Sequence, residues 1–154
     1  MTNPIRLASN LLVCSQLHVE DLAALNAVGI RTIVCNRPDG EAPDQPSNQE
    51  IADAARQRNM TFTHLPVTPK MQLHADDSER FNDVLESSRG EVVAYCRTGK
   101  RSVTMWALSQ RGRMPAKEII RAAAQSGFDI SNLADRLAPD VPLIMTAEPG
   151  CSVR

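Results

Sequence analysis

The sequence predicts an α/β domain in which a central, mostly parallel sheet is flanked by helices. Short apolar segments rich in β-branched residues alternate with segments of helical periodicity along the 154 residues. One segment, residues 91–95, is almost continuously apolar, which is typical of a strand covered on both faces. A segment with apolar residues on most faces follows it closely, and a buried helix of this kind connects parallel strands.

In the first half of the chain, spacing and end signals define the elements. Gly29 is a typical C-terminal cap for the helical repeat before it. Ser47 and Glu50 form a capping box, which predicts the start of a helix. Pro66 predicts the end of the strand that contains it. The predicted elements are a helix over 19–28, a strand over 30–35, a helix from 47 to about 58 and a strand over 60–67.

The second half continues the alternation. Pro115 suits the first position of a helix, and Gly127 closes that helix. The tail after Pro139 either forms an edge strand at 141–145 or packs as coil. The predicted elements are a helix from 76 or 77 to 87, a strand over 91–95, a buried helix over 102–110, a helix from 115 and a helical turn at 132–137.

Composition excludes several classes of function. The chain is 42% apolar and 23% charged with a net charge of -1, which does not indicate a nucleic-acid or membrane binder. The length predicts one domain over 1–154, with its core at about 9–138 and a tail at 139–154. No targeting segment is visible, so a cytoplasmic location is expected. None of the four cysteines lies in a C-x-x-C pair or at zinc-ligand spacing with a histidine, so neither a metal nor a cofactor is expected.

The loop between the strand at 91–95 and the buried helix carries the predicted chemistry. Backbone N–H groups and the helix dipole form an anion site there, and Gly99 permits the tight turn. These donors and the neighbouring cations favour the thiolate form of Cys96, which is the form that attacks. The alternative is that Cys96 is a small buried hydrophobe before a solvated basic turn. The predicted residues are Cys96 and Arg101 as the catalytic pair, and Arg97, Thr98, Gly99, Lys100 and Ser102 as the anion-binding loop.

Accessory residues come from the two other loops expected at the carboxyl ends of the strands. Arg37 and Asp39 either line the anion site or belong to a turn. Asp76 and Asp77 either supply a general acid or cap the following helix.

Other titratable and thiol residues have weaker predicted roles. Cys35 either resolves a persulfide on Cys96 into a disulfide or belongs to the core. His64 and His74 either orient the substrate or pack at the surface. Cys14 and Trp106 are expected in the core, and Cys151 as an exposed thiol without function.

The segment from Cys96 to Ser102 resembles the active-site loops of two enzyme classes. These are the single-domain rhodaneses, which are thiosulfate sulfurtransferases, and the cysteine-dependent tyrosine and dual-specificity phosphatases. Phosphatase loops have five residues between cysteine and arginine. Here Ser102 occupies that position and Arg101 comes one residue earlier, as in rhodanese-type loops. The resemblance therefore implies a smaller ring of amides, which suits a sulfane sulfur better than a phosphoryl group.

A wider resemblance covers roughly residues 9–138. Its segments, at 36–41, 44–47, 64–67, 95–99 and 106–108, resemble in order those of one bacterial family. This family is named for the phosphatase-like domain of beta-lactamase-hydrolase-like proteins, and it resembles dual-specificity phosphatases in fold. Several members are fused to, or resemble companions of, metallo-beta-lactamase-fold persulfide dioxygenases. The resemblance thus implies a role in persulfide handling, with such a dioxygenase as a partner.

We therefore expect a rhodanese-like sulfurtransferase. It would move a sulfane sulfur from thiosulfate or a persulfide to a thiol acceptor through a persulfide on Cys96. One alternative is a cysteine-dependent phosphatase in which Arg101 binds phosphate and an aspartate of the second loop acts as the acid. Another is a non-enzymatic sulfur carrier or a docking module for the dioxygenase.

Overall fold

The computed structural model describes residues 3–71, 73 and 76–138, with a five-stranded sheet at its centre. The strands are β1 (Ile5–Ala8), β2 (Leu11–Cys14), β3 (Ile30–Cys35), β4 (Thr61–His64) and β5 (Glu91–Tyr95). They lie in the order β1-β2-β5-β3-β4. β1 is antiparallel to β2, whereas the pairs β2–β5, β5–β3 and β3–β4 are parallel. The predicted α/β class with a mostly parallel sheet is therefore confirmed.

Helices cover both faces of this sheet. The α-helices are α1 (Leu22–Ala27), α2 (Asn48–Arg56), α3 (Asp77–Ser87), α4 (Lys100–Ser109) and α5 (Ala116–Gln125). Two 3₁₀ helices lie at Val19–Asp21 and Ser131–Leu137. One face packs against α1 and α2, and the other against α3, α4, α5 and the second 3₁₀ helix. The sheet is thus the middle of three layers.

The continuous apolar character of β5 follows from its central position. Val92 and Ala94 belong to the core on the α4 side, whereas Val93 and Tyr95 belong to the core on the α1 side. All four are at most 1% exposed. Because alternate side chains point to opposite faces, a strand covered on both sides requires apolar residues at every position.

Most of the predicted elements are confirmed, with differences at their ends. The first predicted helix begins as the 3₁₀ turn Val19–Asp21 before α1. The capping box at Ser47 and Glu50 is present, with both of its hydrogen bonds formed. β4 ends before Pro66, which has no N–H group to donate to the sheet. The predicted strand at 141–145 lies outside the described residues.

The helix after β5 begins two residues earlier than predicted. Gly99 occupies its N-cap position with φ +98°, so the residues from Lys100 onward are already helical. The last part of the predicted anion loop is therefore the first turn of α4. Pro115 is the N-cap of α5 rather than its first residue, and its carbonyl accepts from the N–H groups of Glu118 and Ile119.

Two strands near the amino terminus were not predicted. β1 and β2 form a short antiparallel hairpin, and β2 also pairs with β5. This pairing places the carboxyl end of β2 beside the carboxyl ends of β3 and β5. Within the described ranges, no helix combines the length and the apolar character that a membrane crossing requires.

Candidate active site

The carboxyl ends of three adjacent parallel strands meet below the cysteine loop. Cys14 of β2 and Cys35 of β3 are both in register with Tyr95 of β5. Cys96 follows Tyr95 directly and is fully buried. The sheet therefore places the predicted nucleophile at the centre of its carboxyl edge, where α/β folds bind ligands.

The cysteine loop folds back onto its own sulfur. The Gly99 N–H donates to Cys96 Sγ at 3.1 Å. The first hydrogen bond of α4 runs from the Val103 N–H to the Gly99 carbonyl at 3.0 Å, so the amides of residues 100–102 precede the helical ladder. These amides and the positive end of the helix lie beside Cys96, which is the arrangement expected of an anion cradle.

Gly99 makes this turn possible. Its positive φ is disfavoured for residues with a side chain. A Cβ atom there would also lie 3.1 Å from the Phe128 ring and 3.4 Å from the Cys14 carbonyl oxygen. Glycine is therefore required both by the backbone conformation and by the neighbouring atoms.

The guanidinium of Arg101 lies in the site with one edge occupied. Its Nη1 donates to Glu41 Oε2 and to the Val67 carbonyl, both at 2.8 Å, and its Nη2 donates to Glu41 Oε1 at 2.9 Å. A guanidinium has five N–H donors, so these bonds leave one on Nη2 and one on Nε. Hydrogen bonding to Glu41, and less strongly the nearby Cys96, raises the pKa of Arg101. The remaining edge can therefore serve a ligand held over the sulfur.

Glu41 is the residue that holds this arrangement together. Besides Arg101, its carboxylate accepts from Arg37 Nε at 2.9 Å. The hydrogen bonds from Arg101, followed by those from Arg37, lower the pKa of Glu41 to about 2. Glu41 is therefore an anion in neutral solution and positions the arginines, but it cannot donate a proton there.

The first loop, which follows β3, is anchored through Arg37. Its Nη1 donates to Gln16 Oε1 at 2.9 Å, and its side chain is only 5% exposed. Its carbonyl accepts from Cys35 Sγ at 3.3 Å and contacts His64 Nε2 at 2.9 Å. Arg37 thus links the ends of β2, β3 and β4, and it reaches Arg101 only through Glu41.

Ser102, in the first turn of α4, bonds to Asn36, which the sequence did not single out. Its hydroxyl donates to Asn36 Oδ1 at 2.8 Å, and both side chains are fully buried. Asn36 Nδ2 donates in turn to the Leu65 carbonyl at 2.8 Å. Ser102 was predicted as part of the anion-binding loop, whereas its hydroxyl bonds to Asn36. The hydroxyl fastens α4 to the segments after β3 and β4.

The three predicted accessory carboxylates lie at or near the starts of helices or contact one. Asp39 accepts from the backbone and side chain of Asn48, at 2.8 and 2.5 Å, so it fixes the start of α2 and does not line the anion site. Asp76 occupies the N-cap position of α3 but makes no capping bond there and instead pairs with Arg80 at 3.3 Å. Asp77 is the first residue of α3.

The structure places Cys14, Cys35 and His64 of the remaining predicted thiols and histidines. Burial raises the pKa of the Cys35 thiol and that of Cys14, and both residues belong to the core on the α1 side. His64 contacts a backbone carbonyl of the first loop. His74 and Cys151 lie outside the described residues. Within the part of the chain that is described, no group of His, Cys, Asp and Glu is arranged to hold a metal ion.

Glu41, Asn36 and Gln16 are the site residues that the sequence did not single out. Glu41 and Asn36 lie within the loop that follows β3, and Gln16 follows β2. Their common signal is a polar residue just after a parallel strand. Arg37 lies only four residues before Glu41, but Arg101 and Ser102, the partners of Glu41 and Asn36 across the site, are too far along the chain for a local pattern to indicate them.

The family model for the phosphatase-like domain of beta-lactamase hydrolase-like proteins matches residues 5–113. The chain belongs to this family. A beta-lactamase hydrolase-like protein of Agrobacterium fabrum is 30% identical over 128 residues, which are 82% of this chain and 30% of that protein. The chain therefore spans about a third of the length of this curated relative.

The chain is also similar in fold to solved structures of phosphatases. A candidate phosphatase from Neisseria meningitidis is 36% identical and superimposes with a TM-score of 0.77, over 86% of this chain and 94% of that one. Kinase-associated phosphatase, solved with its catalytic cysteine replaced by serine, has a TM-score of 0.66 at 14% identity, over 89% of this chain and 91% of that one. At that identity the likeness shows the fold, which is that of the dual-specificity and tyrosine phosphatases.

The Glu41 carboxylate should make stability depend on pH. We expect Glu41→Gln to lower the free energy of unfolding at pH 7, because the folded-state pKa of Glu41 is lowered from 4.5 to about 2. A lowered pKa stabilises the fold above about pH 4.5, and this contribution is lost as the pH falls towards 2. Urea unfolding of both proteins at pH 7 and pH 3 measures the change.

Glu118→Gln is the matched control, because Glu118 forms an exposed pair with Arg121 on α5. Exposed pairs contribute about 0–1 kcal/mol, so the control should lie close to wild type at both values of pH. A Glu41→Gln deficit that is equal at pH 7 and pH 3 would contradict the assignment.

The buried pair of Asn36 and Ser102 should show energetic coupling. Asn36→Ala and Ser102→Ala should each cost about 1–3 kcal/mol, because each leaves a buried polar group without its partner. The double variant should cost less than their sum by about 0.5 kcal/mol or more. Denaturant unfolding of the four proteins gives this difference.

Asn36→Ala combined with Ser109→Ala supplies the control cycle. Ser109 is buried and donates to the Trp106 carbonyl within α4, so it shares no hydrogen-bond partner with Asn36. Additivity in this control, within about 0.5 kcal/mol, is expected. Additivity in the Asn36 and Ser102 cycle would mean that their hydrogen bond contributes nothing.

Proposed function

We propose that the chain is a cysteine-dependent phosphatase that forms a phosphocysteine intermediate on Cys96. The observation that carries this proposal is the arrangement of Arg101. One edge of its guanidinium is held by Glu41, and the other edge is left for an oxyanion beside the Cys96 sulfur. The phosphatase fold of its structural relatives supports the same reaction.

The first step transfers the phosphoryl group to sulfur. The Cys96 thiolate attacks phosphorus, an S–P bond forms, and the P–O bond breaks with its electron pair on the leaving oxygen. The loop amides and the Nε and Nη2 hydrogens of Arg101 bind the other phosphoryl oxygens through the transition state. In the second step, water attacks phosphorus, the S–P bond breaks, and inorganic phosphate and a proton are released with the thiolate restored.

The surroundings of the loop favour substrates with good leaving groups. Glu41 contacts Arg101 but is ionised, so it cannot protonate a leaving oxygen. Asp76 pairs with Arg80 at the surface. The aryloxide of an aryl phosphate and the phosphate of a phosphoanhydride leave as stable anions, so their departure needs no strong acid. We therefore expect these substrates to react faster than alkyl phosphates.

Sulfur transfer is the second candidate, favoured by the short interval between Cys96 and Arg101. The Cys96 thiolate would attack the outer sulfur of thiosulfate, the S–S bond would break, and sulfite would leave with the electron pair. Cyanide or an acceptor thiolate would then take the outer sulfur and restore the thiolate. This reaction needs no general acid either. The sulfur-carrier role and the persulfide dioxygenase partner stay predictions.

Paired assays on one preparation separate the two reactions. We expect phosphate release from 4-nitrophenyl phosphate that falls about a thousandfold or more in Cys96→Ser, which lacks the nucleophile. Arg101→Lys should lose about a hundredfold, because lysine cannot bind Glu41 and an oxyanion through two edges. The second assay measures thiocyanate formed from thiosulfate and cyanide.

Cys35→Ala is the matched control, because Cys35 is a second buried thiol at the same sheet edge. It should keep activity if Cys96 alone forms the intermediate. Thiocyanate turnover that depends on Cys96, without phosphate release, would replace the phosphatase proposal by sulfur transfer. Activity in neither assay would favour the carrier or docking role.

A further inference from the structure

A cavity of about 450 Å³ opens beside the cysteine loop. Arg97, Lys100 and Arg101 line it at the loop and the first turn of α4, and Arg136 of the second 3₁₀ helix lines it as well. Ile130 and Leu133 give it an apolar part. Its volume lies within the range of about 300–1,000 Å³ that is usual for small-molecule sites. Cys96 does not line it, so the cavity adjoins the predicted reaction centre without containing the sulfur.

Positive side chains outnumber negative ones among the described residues that line this cavity. Among the described residues that line it there are four cations and no carboxylate. Glu41 compensates Arg101, and Asp129 lies close enough to Lys100 for that charge to help lower the pKa of the aspartate. No described carboxylate forms an ion pair with Arg97 or Arg136. The cavity therefore has an excess of positive charge.

Arg136 is the unusual member of this group. Its Nη2 atom is buried and has no hydrogen-bond partner among the described residues. Partial burial lowers the pKa of Arg136, so its surroundings make the cation costly. Buried donors in folded proteins are nearly always paired, and an unpaired one calls for an explanation. Since Arg136 lines the cavity, an anionic ligand there would compensate the charge of its guanidinium.

We propose that the cavity binds a second anionic group of the substrate, so that the substrate class is a small molecule with two phosphate groups. One phosphate would lie over Cys96 against the free edge of Arg101, and the other would bind Arg136 and Arg97. The carbon skeleton between them would lie against Ile130 and Leu133. The reacting phosphate in this inference rests on the proposed phosphatase function, whereas the second binding site does not.

The second 3₁₀ helix lies beyond the region that the family model matches. That region ends at residue 113, whereas Ser131–Leu137 contributes Arg136 and Leu133 to the cavity. The cysteine loop and Arg101 lie within the matched region. The proposed second site therefore includes residues outside the matched region.

Binding to the inactive variant tests the subsite without turnover. Titration calorimetry would compare butane-1,4-diyl bisphosphate with butyl phosphate on Cys96→Ser. We expect the bisphosphate to bind about tenfold more tightly, since one charge-assisted contact of about 1.4 kcal/mol corresponds to that ratio. Adding Arg136→Met should abolish this preference while leaving butyl phosphate affinity unchanged.

Two further variants on the same background serve as controls. Arg136→Lys keeps the charge and should retain part of the preference for the bisphosphate. Retention in this variant would also show that the loss of preference in Arg136→Met does not come from damage to the fold. Arg121→Met removes an exposed arginine of α5, paired with Glu118, and should change neither affinity. Equal affinity for the two ligands before Arg136 is changed, or an equal loss of both in Arg136→Met, would overturn the proposal.

The calorimetric test of the second anion site and the phosphate-release assay can succeed or fail independently. A bisphosphate preference that depends on Arg136, in a protein whose wild type releases no phosphate, would support the subsite and reject the phosphatase. Phosphate release without any such preference would support the phosphatase and reject the subsite.

Discussion

The bond between Arg101 and Glu41 is the interaction on which the rest of the site depends. Glu41 binds both Nη atoms of Arg101, and it also binds Arg37, whose side chain is almost fully buried. A single carboxylate therefore balances two cations and fixes the plane of one guanidinium. Without it, the largely buried side chains of Arg37 and Arg101 would lose the carboxylate that compensates both charges, at high energetic cost. With it, Arg101 keeps one free edge in a defined direction, which is the preorganisation that oxyanion binding requires.

The sheet supplies the positions that this interaction needs. Parallel pairing of β2, β5 and β3 brings three strand ends into one row, and Cys96 follows the central strand. The buried pair of Asn36 and Ser102 ties the start of α4 to the neighbouring loop. The cysteine loop is therefore fastened at both ends, and its Gly99 N–H donates to the fully buried Cys96 sulfur. A rigid cradle of this kind binds an anion without the cost of ordering a loop.

Local signals in the sequence were enough for the central elements and for the turn of the loop that contains Cys96. The apolar run of β5, the capping box of α2 and the glycine in the cysteine loop each act within a few residues, and each is confirmed. Glu41 could not be found in this way, because its partner Arg101 lies 60 residues away. The sequence left open whether Asp39 lines the anion site or belongs to a turn, because its bond to Asn48 depends on how the loop folds. The hairpin of β1 and β2 was missed because four-residue strands carry too little periodicity.

The central claim is that Cys96 forms a covalent phosphoryl intermediate within this cradle. The most direct measurement is rapid quenching of the wild-type protein during turnover of an aryl phosphate, followed by peptide mass spectrometry. We expect one added phosphoryl group on the peptide that contains Cys96, and none on those that contain Cys14 or Cys35. An unmodified Cys96 during turnover, or a phosphoryl group on either of the other two cysteines, would contradict it.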